Sequence, residues 1–371
     1  MIFNKLGIFS KIISINFFVL VTLLISFEFS FRLFKFSFKC FKNQCDSSLF
    51  TLRHYQKSLY LGLTKKDRLL GYVPNKNIST VINRWNWEKV KITTNELGLR
   101  NSIMNKSSKN ILTVGDSFTW GDQVSDEETW QSCLNRKNLN NNFLNGGVFG
   151  YGTAQAIMRA QKLYPLIEPD GLLVSTMVGN NFDRDQLSIR TGFPKPFLSL
   201  SPLGDIEVKF VESFDIPNTK FSSKNTIKFR DHLFVNFTFL SLFLDNFIGK
   251  KYLKTESKFT SNISVLGLNP ATKNEIINWS VSQSLKLSPK VVWLLQYQSK
   301  INKKILEERQ YLKKVLKTAK VKVIDTFDYL HGDNKQIIDK EKLWTKFTSH
   351  HTALGNEVVC KVIIDSGIYP K

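Results

Sequence analysis

Five histidines occur in the 371 residues, and two stand together near the C-terminus in "FTSHHTALGN", residues 347–356. Imidazole can take and return a proton near neutral pH, so His350 and His351 are candidate general bases. A base needs a nucleophile to act on. In "GDSFTWGD", residues 115–122, Ser117 directly follows an apolar run at the point where a helix begins. Its hydroxyl would lie at a strand end, where a helix N-terminus favours developing negative charge. A serine at that place is equally a common helix N-cap, and G-x-S-x-G fails because Thr119 replaces the second glycine. The glycines of 146–152 do not make a dinucleotide loop, since Asn145 takes the first position of G-x-G-x-x-G. Glycine N–H groups can still approach a reacting carbonyl closely, and Asn180 in "VGNNFD" could add an amide donor. Taken singly, Asn180 reads as an ordinary turn residue after a strand.

These residues need a frame, and the pattern from Asn110 onward supplies one. "NILTV" reads as a buried strand and "NNFLN" and "GLLVSTMV" as the second and third strands, ending in "GDS", "NGGVFGYG" and "GNN". "ETWQSCLNRKNL" and "TAQAIMRAQKLY" have helical spacing between them. Further on come the strand "KVVWLLQY", the charged helix "KINKKILEERQYLKKVLKTA", the strand "VKVID" and a last helix from Gly355. Such alternation predicts an α/β fold with a parallel sheet covered on both faces. In that class functional groups gather beyond the carboxyl ends of the strands, where Ser117, Gly150 and Asn180 fall. Upstream, residues 71–101 read as short strands with turns, Trp85 and Trp87 sharing a face. Residues 186–285 are rich in Ser, Pro and Phe with weak periodicity, and are expected to form an insertion or lid.

At the front, residues 12–27 carry no charge, and apolar character continues to Phe31 with Glu28 interrupting. Twenty residues span roughly 30 Å of hydrocarbon, so 12–31 is expected to be a retained transmembrane signal-anchor after a tail at 1–11. Flanking cations, two before and four after, would by count favour a cytoplasmic C-terminal side, though long domains translocate largely regardless of charge. The apolar stretch 234–249 is too short for a second span and contains Asp245; an amphipathic helix is expected there. The formal charge is +21, but Lys and Arg are scattered without a basic stripe interleaved with stacking aromatics, so no nucleic-acid partner is expected. Cys40, Cys45, Cys133 and Cys360 lack metal-ligand spacing, and neither a metal nor a cofactor is implied. Cys40 and Cys45 could pair in an oxidising compartment.

In that order, "GDSFTWGD", "LNGGVFGYGT" and "VGNNFD" resemble the first three blocks of the SGNH (GDSL-type) hydrolase superfamily. "TTNELGLRN" resembles the segment preceding the serine block in its membrane-anchored bacterial branch. The resemblance covers residues 70–185 well and the C-terminal block more loosely. It implies a flavodoxin-like three-layer α/β/α domain over 106–371, after a juxtamembrane region at 32–105. It implies Ser117 as nucleophile, with the N–H groups of Ser117 and Gly150 and the Asn180 side chain as oxyanion donors. The family's D-x-(x)-H-x-x-x-x-G spacing selects His350, because Gly355 lies five residues beyond it.

One departure stands out. The family's acid would fall at Phe347 or Thr348, and neither carries a charge. Neutralising the acid of a serine protease triad lowers turnover by ~10⁴. Three readings stay open: a Ser117–His350 dyad oriented by Thr348 or a backbone carbonyl, substitution by a distant carboxylate such as Asp325 or Asp333, or a catalytically weakened relative. Asp116 is expected to be structural, bonding into neighbouring loops. The leading expectation is a serine esterase or O-acyltransferase acting on an acylated carbohydrate of the cell envelope from an extracytoplasmic position. The alternative is a non-catalytic glycan-binding or scaffold module.

Overall fold

The structure, a computed structural model, describes residues 14–26, 62–82, 89–103, 108–137, 140–190, 193–210, 269–332, 340–345 and 349–369. The chain divides into two units, 1–61 with 215–258, and 62–214 with 259–371. In the first unit, residues 14–26 of the expected anchor form a helix whose side chains are mostly exposed. Among the described residues, no helix is long and apolar enough to cross a membrane. Trp85, Trp87, Cys40, Cys45 and the 234–249 stretch lie outside the described residues.

The second unit is built on five parallel strands: β5 (Lys109–Val114), β6 (Asn141–Asn145), β7 (Gly171–Met177), β13 (Val291–Gln296) and β14 (Lys322–Asp325). Their spatial order is β14-β13-β7-β5-β6. In chain order that is 2-1-3-4-5, the arrangement of a doubly wound sheet whose switch point lies between β5 and β7. The two central strands "GLLVSTM" and "VVWLLQ" are buried at every position. A strand covered on both faces can take uninterrupted apolar residues, and the edge strand "KVID" cannot.

Eight α-helices are described in this unit. The short ones are α1 (Ser117–Trp120), α4 (Asn181–Arg184) and α7 (Phe327–Leu330); the long ones are α2 (Trp130–Lys137), α3 (Thr153–Ile167), α5 (Lys273–Leu287), α6 (Lys303–Thr318) and α8 (Ala353–Asp365). Helix α2 packs on α8, while α5 packs on both α3 and α6. On α6, Ile305, Glu308, Leu312 and Leu316 form the buried stripe and the lysines take the other faces. The last helix starts at Ala353 rather than Gly355, because the Thr352 hydroxyl caps the Gly355 N–H at 3.2 Å. A disulfide joins Cys133 on α2 to Cys360 on α8 inside the apolar cluster of Trp130, Leu134, Val359 and Ile363. Neither spacing nor composition pointed to that pair, which is 227 residues apart.

The short strands upstream are β1 (Thr64–Asp67), β2 (Gly71–Pro74), β3 (Ser79–Ile82) and β4 (Val90–Thr93), paired as two antiparallel hairpins. They pack into the same unit as the sheet: the Tyr72 hydroxyl donates to Phe149 O at 2.7 Å, and Gln155 Nε2 donates to Leu70 O at 2.8 Å. Within 186–285 the structure describes β8 (Ile189–Arg190), β9 (Phe193–Pro194), β10 (Phe197–Leu200), β11 (Ile206–Lys209) and β12 (Asn269–Pro270), followed by α5. Thr272 opens α5 with a capping box to Glu275, and α5 leads the chain back to β13.

Candidate active site

The loop after β5 makes a single helical turn. Asp116 is its N-cap, and its Oδ1 accepts the Phe118 N–H at 3.0 Å. Capping is therefore done by Asp116, which leaves the Ser117 hydroxyl for another partner. That partner is His350, whose Nε2 lies 2.8 Å from Ser117 Oγ across 233 residues of sequence. The separation is that of a hydrogen bond, short enough for proton transfer.

Backbone hydrogen bonds hold His350 and its neighbour Ser349. The Thr345 N–H donates to His350 O at 2.8 Å, and the Ser349 N–H to Thr345 O at 3.2 Å. Ser349 sits at φ 55°, left-handed backbone that a residue with Cβ adopts only under constraint. Its hydroxyl meets that of Ser299, beyond β13, at 2.8 Å. The Phe118 ring packs against both imidazoles, with centroids 5.3 Å from His350 and 4.8 Å from His351. His351 is buried, and burial pulls its pKa down to about 3, with the neighbouring His350 adding to the effect. A buried neutral ring is a packing element, so the geometry sets His350, not His351, against the serine.

Gly150 and Asn180 occupy the neighbouring strand ends. Gly150 has φ 77°, a conformation only glycine adopts freely, in the loop after β6. Asn180 takes the N-cap position of α4, yet its side chain makes no capping bond, unlike the ordinary turn asparagine. Gly179 before it is held by a bond from its N–H to Glu308 Oε1 at 2.6 Å, and Lys273 Nζ ties Glu308 to Asp183 at 2.7 Å each.

One guanidinium fastens these three loops together. Arg184 Nη1 donates to Asp116 Oδ2 at 3.0 Å, to Tyr151 O at 3.0 Å and to Asn181 Oδ1 at 2.9 Å. Asp116 is thus a structural residue, as its position beside the serine suggested. The next acid, Asp185, is buried and accepts the Ala154 N–H at 2.8 Å at the start of α3; desolvation raises its pKa to about 6.

The upstream "TTNELGLRN" segment buttresses the serine loop. Arg100 is fully buried, donating from Nη1 to Trp120 O at 2.8 Å and Gly121 O at 2.5 Å, from Nη2 to Val124 O at 2.6 Å, and from Nε to Asp126 Oδ1 at 2.9 Å. Thr93 adds its N–H and hydroxyl to Asp126 Oδ2 at 2.8 and 2.7 Å.

Of the carboxylates considered from sequence, Asp325 does not serve His350. Its Oδ1 accepts from the Tyr297 hydroxyl at 2.9 Å and the Phe327 N–H at 3.1 Å, and its Oδ2 from Arg309 Nε at 2.8 Å. Those partners stand just after β13 (Tyr297), on α6 (Arg309) and at the start of α7 (Phe327), where Asp325 closes the end of the edge strand. Phe347, Thr348 and Asp333 lie outside the described residues. A different carboxylate lies beside the histidine: Asp122 Oδ2 is 3.9 Å from His350 Nε2. Asp122 stands in the quoted serine block, where nothing in a linear pattern shows that the chain doubles back. The available signal was Gly121, a glycine ending a one-turn helix. Among the described residues, no group of His, Cys, Asp and Glu is placed to hold a metal ion.

No family model matches the sequence, and no curated protein matches it. Solved structures do show likeness. One is a member of the lipolytic protein G-D-S-L family from Veillonella parvula, 14% identical at TM-score 0.37, covering 69% of this chain and 96% of that one. Another is a lipase/acylhydrolase from Enterococcus faecalis, 12% identical at TM-score 0.38, covering 70% and 95%. A third is a catalytic mutant of an acetylxylan esterase from Geobacillus stearothermophilus, 11% identical at TM-score 0.36, covering 71% and 96%.

Proposed function

We propose that the chain is a serine esterase or O-acyltransferase, and that it acts on an ester of a cell-envelope carbohydrate through an acyl-enzyme on Ser117. The observation that carries this reading is the 2.8 Å approach of His350 Nε2 to Ser117 Oγ. In the reaction His350 takes the hydroxyl proton as Oγ attacks the acyl carbonyl, then returns it to the departing alkoxide. Water or a second hydroxyl, activated by the same nitrogen, releases the acyl group. The Ser117 and Gly150 N–H groups and the Asn180 amide are the proposed donors to the oxyanion, in keeping with their places beyond three adjacent strand ends. The same approach of His350 speaks against the scaffold reading, which gives no reason for an imidazole on a serine hydroxyl.

An extracytoplasmic, membrane-anchored placement is part of the proposal. It is supported by the uncharged run at 12–27 and by the Cys133–Cys360 disulfide, a bond that persists in oxidising compartments. A reporter active only in the cytoplasm, fused after Lys371, would refute that placement by giving signal.

The full chain, assayed with p-nitrophenyl acetate, tests the activity. Ser117→Ala and His350→Ala should each lower kcat by ~10³ or more, as removal of either member of a coupled pair does. A glycan acceptor added to the assay separates the two acceptors: faster acyl release assigns the transferase, unchanged release the esterase. Equal, background-level rates in the wild type and both variants would defeat the enzyme reading.

A further inference from the structure

We infer that Asp122 is the anionic partner of His350, a positioning residue that stabilises the imidazolium from the Nε2 side in place of an acid before the histidine. The inference rests on the esterase reading and assigns a residue that reading leaves out.

Three features place the carboxylate there. The one-turn helix α1 ends at Gly121, whose φ of 81° reverses the chain, and the N–H groups of Gly121 and Asp122 both donate to Ser117 O at 3.0 Å. Residue 122 is thereby folded back onto the nucleophile's own turn. Arg100 grips the Trp120 and Gly121 carbonyls and holds the reversal rigid. The five N–H donors of Arg100 are engaged by Asp126, Trp120, Gly121, Val124 and Lys91, so the Asp122 carboxylate is not its hydrogen-bond partner. Both side chains are largely shielded from solvent, His350 at 18% and Asp122 at 4% exposure, so their interaction is weakly screened.

At 3.9 Å the contact is charge against ring rather than a hydrogen bond in the resting state. Its value appears when charge develops. As Oγ attacks, the Oγ–H bond breaks, the Nε2–H bond forms, and the carbonyl electron pair moves to its oxygen. The new positive charge then lies beside the Asp122 carboxylate. When the proton passes to the leaving alkoxide, both return to their starting states. Other charged or titratable groups next to the pair are His351 beside the His350 ring, Arg100 within electrostatic reach of Asp122, and Asp116 on the serine turn; behind them Asp126 and Glu127 act on Arg100, and Arg184 on Asp116. Of these, Asp116 and Arg184 are paired at 3.0 Å, and Arg100 and Asp126 at 2.9 Å.

The test is kcat and kcat/KM of the full chain against pH, for wild type, Ser117→Ala, Asp122→Asn and Asp122→Glu. An opposite charge within about 4–6 Å displaces a titration by at least about 1 unit. Asp122→Asn should therefore move the acid limb of kcat/KM to lower pH by about 1 unit or more, and lower kcat about 10- to 10³-fold with KM little changed. Asp122→Glu should keep the limb near its wild-type position. In the His350→Ala background, Asp122→Asn should change nothing further; an added loss there would assign Asp122 to folding and overturn the inference. A wild-type profile for Asp122→Asn, with Ser117→Ala inactive, would also overturn it. Full activity in Ser117→Ala would instead defeat the esterase reading. If the Asn variant does not fold, as judged by its thermal melt, the Glu variant decides, because a limb displaced although the charge is kept contradicts the assignment.

Discussion

The Asp116–Arg184 pair offers the sharpest test of how the site is held. Asp116 is completely buried and Arg184 nearly so, and Nη1 reaches acceptors on all three strand-end loops. Arg184→Met keeps much of the side-chain bulk but leaves a buried carboxylate, a carbonyl and an amide oxygen without that donor. Removing one partner of a buried pair destabilises by about 3–5 kcal/mol. Asp116→Asn keeps a capping oxygen for Phe118 and should cost less, about 1–3 kcal/mol, because the cation retains Tyr151 and Asn181. The double variant has no isolated buried charge, so its loss should fall short of the sum by about 1–3 kcal/mol. Urea unfolding of the full chain and the three variants, followed by tryptophan fluorescence, measures this cycle. Turnover should fall more steeply than stability, since a misplacement of about 1 Å at a reacting group can lower the rate ~10²-fold. A coupling below about 0.5 kcal/mol, with the Arg184→Met midpoint unchanged, would show that the loops are held by packing and would refute the clamp.

Two further tests concern the elements behind His350. The chain-entropy model for a cross-link spanning 227 residues sets an upper value of about 5 kcal/mol, and native disulfides typically contribute about 2–4. Cys133→Ala/Cys360→Ala should therefore melt several degrees lower than the oxidised wild type and match the wild type in reductant; coincident melts under all conditions would contradict the link. His351 is held neutral with a pKa of about 3, below the ordinary 6.5. The folded state thus binds fewer protons than the unfolded chain, and stability present above pH 6.5 drains as pH falls toward 3. Between pH 7 and 4.5 this amounts to about 2–3 kcal/mol. His351→Leu should lose that much less stability than wild type over the window, as read from urea midpoints at the two pH values; parallel losses would argue against it.

Much of this protein is local in its sequence. Each inner strand of the parallel sheet is largely an apolar run bounded by turn residues, the edge strands "NNFLN" and "KVID" are more polar, and each covering helix repeats its apolar residues at helical spacing, because burial on one or two faces dictates composition within a few residues. That is why "GLLVSTM" and "VVWLLQ" could be read as strands, and why Ser117, Gly150 and Asn180 could be placed at strand ends; the inner places of those two strands came only with the sheet order. His350 was separable from His351 only through the spacing to Gly355; the structure adds a physical reason, the burial of His351 against Phe118. Tertiary structure alone decided the rest. Asp325 looked available as an acid until Tyr297, Arg309 and the Phe327 N–H met it across three elements. Asp122 lay five residues from Ser117 in plain view, yet its nearness to His350 depends on a chain reversal gripped by Arg100 and on a contact spanning most of the domain. The Cys133–Cys360 bond and the Arg184 clamp are alike in this. A single sequence records which residue types a local environment requires, whereas which side chains meet is set by closing long loops around a shared core, and no periodicity encodes that pairing.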